Sequence, residues 1–321
     1  MRAAGWRLTI VCLAMLCPLA AQAQTYSDHP VRMLVGFAAG SGPDIQARNV
    51  SAQLSTILGQ QFYIENRLGA NGTIASRTVA QSKPDGYTLL FSSSSIASTP
   101  YIYRDLGYDL LTDLTPIATV GILDGLLMLV DSKSPIKTVP EFIAHAKANR
   151  VLYGSPGVGN GLHLATELFS QKAGISLQHV PYKGASEVMT GLLGGSVQMM
   201  FVTPPSVMGL VKEGRVRALA FTGSKPFPLL PDVPLMKDIL PSLEPIGSWG
   251  IFFAPGKTPP EVVNKLNTAI REALQAPAVA GVMARDGYHP DNRDAAAVAA
   301  FFRREVERTG EAVKAAKIEP N

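Results

Sequence analysis

Cysteine is nearly absent from this chain. Its two cysteines, Cys12 and Cys17, fall in the first 17 of 321 residues. Disulfides, thiolate metal sites and a cysteine nucleophile are therefore excluded from everything that follows them. Histidine is sparse as well: His29, His145, His163, His179 and His289 never fall in a His-x-x-x-His or His-x-His spacing, so no metal or other cofactor is expected. An excess of one charge is also missing. The formal net charge is +4, and without Arg2 and Arg7 only 27 basic residues face 25 acidic ones. No Lys/Arg cluster interleaves with aromatics, so nucleic acid is not an expected partner. After the first residues no continuous apolar run is long enough to span a membrane.

The apolar stretch Leu8 to Leu16 is too short to span and follows Arg2 and Arg7. With the small-x-small site Ala21-Gln22-Ala23, residues 1–23 read as a secretory signal cleaved near Ala23, which predicts a periplasmic protein. Leu16 is bulky where lipidation of Cys17 would need a small residue. An exported chain without disulfides must rest on its hydrophobic core, and the length accommodates two domains.

From Val31 the pattern alternates short apolar runs with helical periodicity, as a parallel α/β layer does. Strands are expected at Val31–Val35, Gln61–Glu65, Thr88–Ser92 and Ile117–Ile122, with helices at 43–58 and 72–82. Leu126–Val130 reads as a further strand. A second α/β series follows, with helices at Val139–Asn149, Leu162–Ala173, Ser186–Gly194 and Pro205–Glu213. Its strands fall at Val151–Gly154, Gln178–Pro181, Val197–Val202 and Val216–Phe221. Trp249–Ala254 is apolar again, and the tail from Pro259 is almost wholly helical.

Two glycine-rich loops stand between a strand and a helix. The first runs Gly36-Phe37-Ala38-Ala39-Gly40-Ser41-Gly42-Pro43-Asp44, the second Gly154-Ser155-Pro156-Gly157-Val158-Gly159-Asn160-Gly161. Such loops leave backbone N–H groups aimed outward at the positive end of a helix dipole, so the natural guest is an anion such as a carboxylate. Neither loop has the third glycine of a dinucleotide fingerprint, and no Gly-Lys-Ser/Thr is present. Gly40-Ser41-Gly42 lacks the flanking glycines of a nucleophile elbow. Asp44 sits at the second helical position, where an acid is favourable for structure alone. The hydroxyls of Ser92 to Ser95 and of Thr203 follow strands at their carboxyl ends, where open sheets hold ligands. His163, at the start of a helix, could reach a cleft or could simply be a hydrogen-bonded helix-start residue.

In its motifs the chain resembles the substrate-binding proteins of tripartite tricarboxylate transporters, the Bug family. The matching segments include His29-Pro30-Val31-Arg32, the loop from Gly36 to Asp44, Glu65-Asn66-Arg67-Leu68-Gly69-Ala70-Asn71-Gly72 and Pro84-Asp85-Gly86-Tyr87-Thr88. Val180-Pro181-Tyr182-Lys183-Gly184 and Leu230-Pro231-Asp232-Val233-Pro234 follow in family order. The resemblance implies a two-lobed α/β flytrap, with lobe 1 at 24–122 plus 255–321 and lobe 2 at 123–254. It implies a monomer without catalytic residues that carries a small carboxylate to integral-membrane transporter subunits. Carried over, the first-lobe contacts would be Phe37, Ala38, Ala39, Gly40, Ser41, Ser92, Ser93 and Ser95. Those of the second lobe would be Ser155, Gly157, Gly159, Asn160, His163, Tyr182 and Thr203. The sequence departs from the family pattern at Ala38, Ser41, Pro43 and Leu68, and it has Val202 where an acidic residue is usual. A sensor module sharing the same binding physics, or an exported hydrolase using Ser41, Ser92 to Ser95 and His163, are the competing readings.

Overall fold

The computed structural model describes residues 28–316 and 318–320, so the expected leader at 1–23 lies outside the described residues. Strand β1 (Val31–Val35) opens the chain and sits between two parallel neighbours. Helix α1 (Gly42–Leu58) leads from it to β2 (Phe62–Asn66), and α2 (Thr73–Ala80) leads on to β3 (Thr88–Ser93). Pro43 in its first turn starts α1, and Gly59, at φ 69°, ends it in a left-handed cap. After a short helix α3 (Thr99–Ile102), β4 (Leu114–Leu123) adds to the same sheet and runs on into β5 (Leu127–Asp131) of the second lobe.

The second lobe continues with α4 (Val139–Ala148), β6 (Val151–Ser155), α5 (Gly161–Ala173), β7 (Leu177–Pro181) and α6 (Ala185–Leu193). It closes with β8 (Met200–Val202), α7 (Met208–Lys212), β9 (Val216–Phe221) and α8 (Met236–Ile239). Strand β5 lies between β8 and β9, β6 pairs with β7 in parallel, and Tyr153 bridges to Met199. Tyr153, Phe142, Phe169 and Phe201 are among the residues of its core.

The chain returns through β10 (Ser248–Pro255), α9 (Pro260–Gln275), α10 (Pro277–Arg285), β11 (Tyr288–His289) and α11 (Ala295–Ala315). The first sheet has the order β11-β4-β10-β3-β1-β2. Helices α1 and α9 cover one face, with Val50, Leu54, Leu266 and Ile270 in a common core. Helices α2 and α11 cover the other, where Val79, Val298 and Phe302 meet Phe253.

Three expectations shift. Residues 248–254 were assigned to lobe 2, yet β10 pairs along its length with β4 and over Gly250 to Phe253 with β3, so this segment lies in the first sheet. The strand expected from Val197 begins at Met200, because the amides of Val197 and Gln198 bond to Gly191 and Leu152 instead. Pro204 and Pro205 lack N–H donors, and the helix expected at 205–213 becomes a 3₁₀ turn followed by α7. In the helical tail, Pro277 starts α10 directly after α9.

Both segments that cross between lobes lie side by side, since Ser248 pairs with Leu123. Gly247 sits so close there that a Cβ would lie 2.2 Å from the Leu123 carbonyl oxygen. Gly247→Ala should therefore cost about 1–3 kcal/mol in urea unfolding through overpacking. Gly281→Ala, in α10 with nothing within 4 Å of its Cβ, should gain about 0.5–1 kcal/mol.

Candidate functional site

The first loop is assembled around Asp44. Its side chain is 1% exposed and faces the protein rather than a cleft. Oδ2 accepts from the Gly40 amide at 2.9 Å and from Arg48 Nε at 2.8 Å. Oδ1 accepts from Asn66 Nδ2 at 2.8 Å, and the same amide group donates to the Phe37 carbonyl at 2.9 Å. Burial alone would raise the Asp44 pKa, but hydrogen bonds from Arg48, Asn66 and Gly40 and the Arg48 charge outweigh it and lower it. Asp44 is thus an ionised structural acid.

Ser41 is the N-cap of α1, so Asp44 stands at the third helical position rather than the second, and the Ser41 hydroxyl makes no capping bond. The Ser41 Oγ is buried and has no hydrogen-bond partner. The amides of Gly42 and Asp44 also make no bond to a backbone acceptor. Three donors thus converge on the positive end of a 17-residue helix. Gly36 lets this loop lie backbone to backbone on the next one, since its Cβ would stand 2.5 Å from the Gly72 Cα.

A cavity of about 750 Å³ lies between the lobes. Of the expected contacts, Phe37, Ala38, Ala39, Gly40, Ser41, Ser93 and Ser95 stand on its first-lobe wall, and Gly157, Asn160, Tyr182 and Thr203 on its second-lobe wall. Ser92, Ser155, Gly159 and His163 do not line it. Ser92 is 2% exposed within β3, opposite Ile251, because strand alternation turns it inward. Gly159 packs onto Ile102 of the first lobe, where a Cβ would meet Cδ1 at 2.1 Å. Ser155 and His163 stand behind the second loop and hold it.

Wall residues outside the expected set include the loop Leu68 to Gly72, the segment Lys183 to Ser186, Gln46, Tyr103, Met189, Val202, Ser206, Leu210, Trp249 and Tyr288. The small-residue run Leu68-Gly69-Ala70-Asn71-Gly72 after β2 carried a signal like that of the other loops. Trp249 and Tyr288 carried none, since both arrive through long-range pairing. The lobes also touch directly. Asn160 Nδ2 donates to Asn71 Oδ1 at 3.2 Å, Ser98 Oγ to the Gly159 carbonyl at 2.6 Å, and the Gly161 amide to Ser95 Oγ at 3.3 Å.

Behind the second loop the rings of His163 and His179 stack at 4.0 Å, and Tyr153 stacks on His179 at 5.0 Å. His163 Nδ1 accepts from the Gly159 amide at 2.8 Å, which assigns its proton to Nε2, 3.8 Å from Glu167 Oε1. Ser155 Oγ donates to the Gly157 carbonyl at 3.0 Å, so the proton in its 2.7 Å contact with His179 Nε2 belongs to the imidazole. Tyr153 donates to Glu167. Burial, with His179 adding to it, lowers the His163 pKa to about 3, and burial lowers that of His179 to about 4.

Two α/β lobes meeting on a cavity walled by loop backbone, hydroxyls and rings define a solute-binding protein. A family model described as the tripartite tricarboxylate transporter family receptor, TctC, matches residues 46–318, and the chain belongs to this family. A UPF0065 protein of Bordetella bronchiseptica is 40% identical over 274 residues, covering 85% of this chain and 81% of that one. BugT of Bordetella pertussis is 35% identical over 272 residues, 84% and 83% of the two chains. The periplasmic binding protein BugD superposes with a TM-score of 0.86 at 30% identity, over 92% of this chain and 100% of that one. An R. palustris protein solved with adipate gives 0.87 at 31% identity, with the same coverage. MatC from Rhodopseudomonas palustris with bound malate gives 0.81 at 29%, over 89% and 99%. Family and neighbours are binding and transport proteins. Among the described residues no helix is long and apolar enough to cross a membrane, and no group of three or more His, Cys, Asp or Glu is placed to hold a metal ion.

The two buried histidines make stability pH-dependent. An unfolded chain protonates them near 6.5, whereas the folded chain resists until about 4 or below. Their contribution is fully present above pH 6.5 and is lost as pH falls toward 4. Urea unfolding should show a loss on the order of 2 kcal/mol between pH 7.5 and pH 5 for His163 alone. His163→Gln should flatten that slope, and an unchanged slope in the variant would dissociate His163 from the effect.

Proposed function

We propose that the protein captures a small organic carboxylate between its lobes and delivers it to the membrane subunits of a tripartite tricarboxylate-type transporter. It acts as a periplasmic monomer after a leader ending near Ala23 is removed. The observation that carries the reading is the open start of α1, where the partnerless Ser41 hydroxyl joins the Gly42 and Asp44 amides. Such a cluster is completed by an acceptor-only group of negative charge. Support comes also from the family and from the adipate and malate bound by two structural neighbours. Lobe 1, residues 24–122 with the C-terminal part, and lobe 2 hinge at the crossings near Asp124–Leu126 and Gly247. Ligand contacts made from both lobes favour closure.

His163, the base named for a hydrolytic role, is not placed for it. His163 uses Nδ1 to accept from Gly159 and stands off the cavity, and Ser92 is buried in its strand.

A melting-temperature screen of the purified protein against organic acids, sugars and amines tests the proposal. An acid at a hundredfold excess over its Kd should stabilise by about 2.7 kcal/mol. Ser41→Ala should weaken the acid about tenfold, near 1.4 kcal/mol, by deleting a donor. Without ligand the variant should melt no lower than the parent, because a buried hydroxyl without a partner has been removed. Unchanged affinity would remove the start of α1 from the site.

A further inference from the structure

We infer that the acid bound has an apolar body, aromatic or aliphatic, carrying neither an amine nor hydroxyl groups. The inference rests on the carboxylate reading and deepens it. Among the described residues the one formally charged side chain on the cavity wall is Lys183, and that residue is exposed at the rim. No Asp or Glu stands on the wall to receive an ammonium group. An amine drawn out of water there would meet no counter-charge, which is among the costliest arrangements a cavity can impose.

The second-lobe wall is apolar where a ligand body would lie. Val202, Met189 and Leu210 form it. The hydroxyls nearby, Thr203 and Ser206, engage each other at 2.9 Å. The same two face the start of α1, with the Thr203 and Ser206 hydroxyls 3.6 and 3.8 Å from where a Gly42 Cβ would be. Val202, the residue before Thr203, shares the cavity wall with Gly42, Thr203 and Ser206, and offers no partner to an amine or hydroxyl carried close to the carboxylate.

Two of the ring residues on the wall, Trp249 and Tyr182, turn their polar atoms elsewhere. Trp249 Nε1 donates to Glu305 Oε2 at 2.9 Å behind the wall. The Tyr182 hydroxyl lies over Gly191 of α6, 2.4 Å from where that residue's Cβ would be. A volume of about 750 Å³ leaves room for a ring or an extended chain beyond the carboxylate head.

The test uses Trp249, which with Trp6 makes up the two tryptophans of the sequence. Protein purified from the periplasm is titrated by tryptophan fluorescence and calorimetry with benzoate, octanoate, malate, citrate and aspartate. Benzoate or octanoate should bind at least tenfold more tightly than malate or citrate, and at least a hundredfold more tightly than aspartate. Val202→Asp should weaken the apolar acids at least tenfold and reverse their order against aspartate. Val202→Thr, which keeps shape and adds only a hydroxyl, should narrow the gap to malate several-fold even if the aspartate variant does not fold. Malate, citrate or aspartate as the tightest ligand overturns the inference and leaves the carboxylate reading intact. Failure of every acid, with sugars or amines binding instead, overturns both.

Discussion

Three segments of the first lobe converge on one buried carboxylate. Asp44 takes the Gly40 amide from its own loop, the Arg48 guanidinium from one turn along α1, and the Asn66 amide group from the end of β2. Asn66 in turn holds the Phe37 carbonyl, so the loop is fixed at both its ends. An acid beside an anion site would ordinarily repel its guest. Here Arg48 at 2.8 Å balances it, and the hydrogen bonds keep both oxygens turned inward. Arg48 is half exposed and partly screened by solvent, so it is the buried Asp44 carboxylate, held by three donors, that fixes the loop. The position of the Ser41 hydroxyl and of the Gly42 amide therefore follows from Asp44 more than from the loop's own composition.

The second loop looks alike in sequence and works differently. Its support is two stacked imidazoles, the Ser155 hydroxyl, and Tyr153 donating to Glu167. The helix it opens, α5, is already capped by Asn160 Oδ1 on the Leu162 amide, while Ser95 from the other lobe takes the Gly161 amide. The Gly161 amide, a donor that a glycine-rich loop would offer to an anion, is used here to join the lobes, and those of Gly159 and Leu162 are taken within the second lobe. The proposed reading therefore places the charge-bearing end of a guest at α1.

The parts of the fold built on local periodicity were legible in the sequence. Strand β1 and helix α1 emerge close to where the apolar spacing, Pro43 and Gly59 put them. The losses come where long-range pairing or a covalent constraint overrides the pattern. β10 has the same apolar content whether it ends one lobe or begins the other, and only its pairing with β3 and β4 decides. Pro204 and Pro205 break a helix that hydrophobic spacing alone would continue. At the site, the first loop and the tyrosine at 182 stand on the wall, whereas Ser92 was misread because alternation along β3 turns neighbouring serines to opposite sides. His163 was ambiguous for a related reason: a helix-start histidine bonds equally well to its own loop or to a guest, and the Gly159 amide took it.

Closure depends on how strongly the lobes hold each other. The seam contains the Asn160–Asn71, Ser98–Gly159 and Gly161–Ser95 bonds, all between neutral groups. At about 0.5–1.5 kcal/mol net for each such bond, these three contribute only a few kcal/mol before the cost of ordering the loops, beside the apolar contact of Ile102 with Leu164. Moving a two-state equilibrium from one part in a hundred to ninety-nine takes about 5.5 kcal/mol of differential affinity. A ligand that touched α1 alone would supply none of it, because that contact is the same open or closed. Under the proposed reading the differential comes from the second-lobe wall, to which Val202, Met189 and Leu210 belong. Anion recognition at α1 and closure over an apolar body are therefore separate tasks, assigned to different lobes of the same cavity.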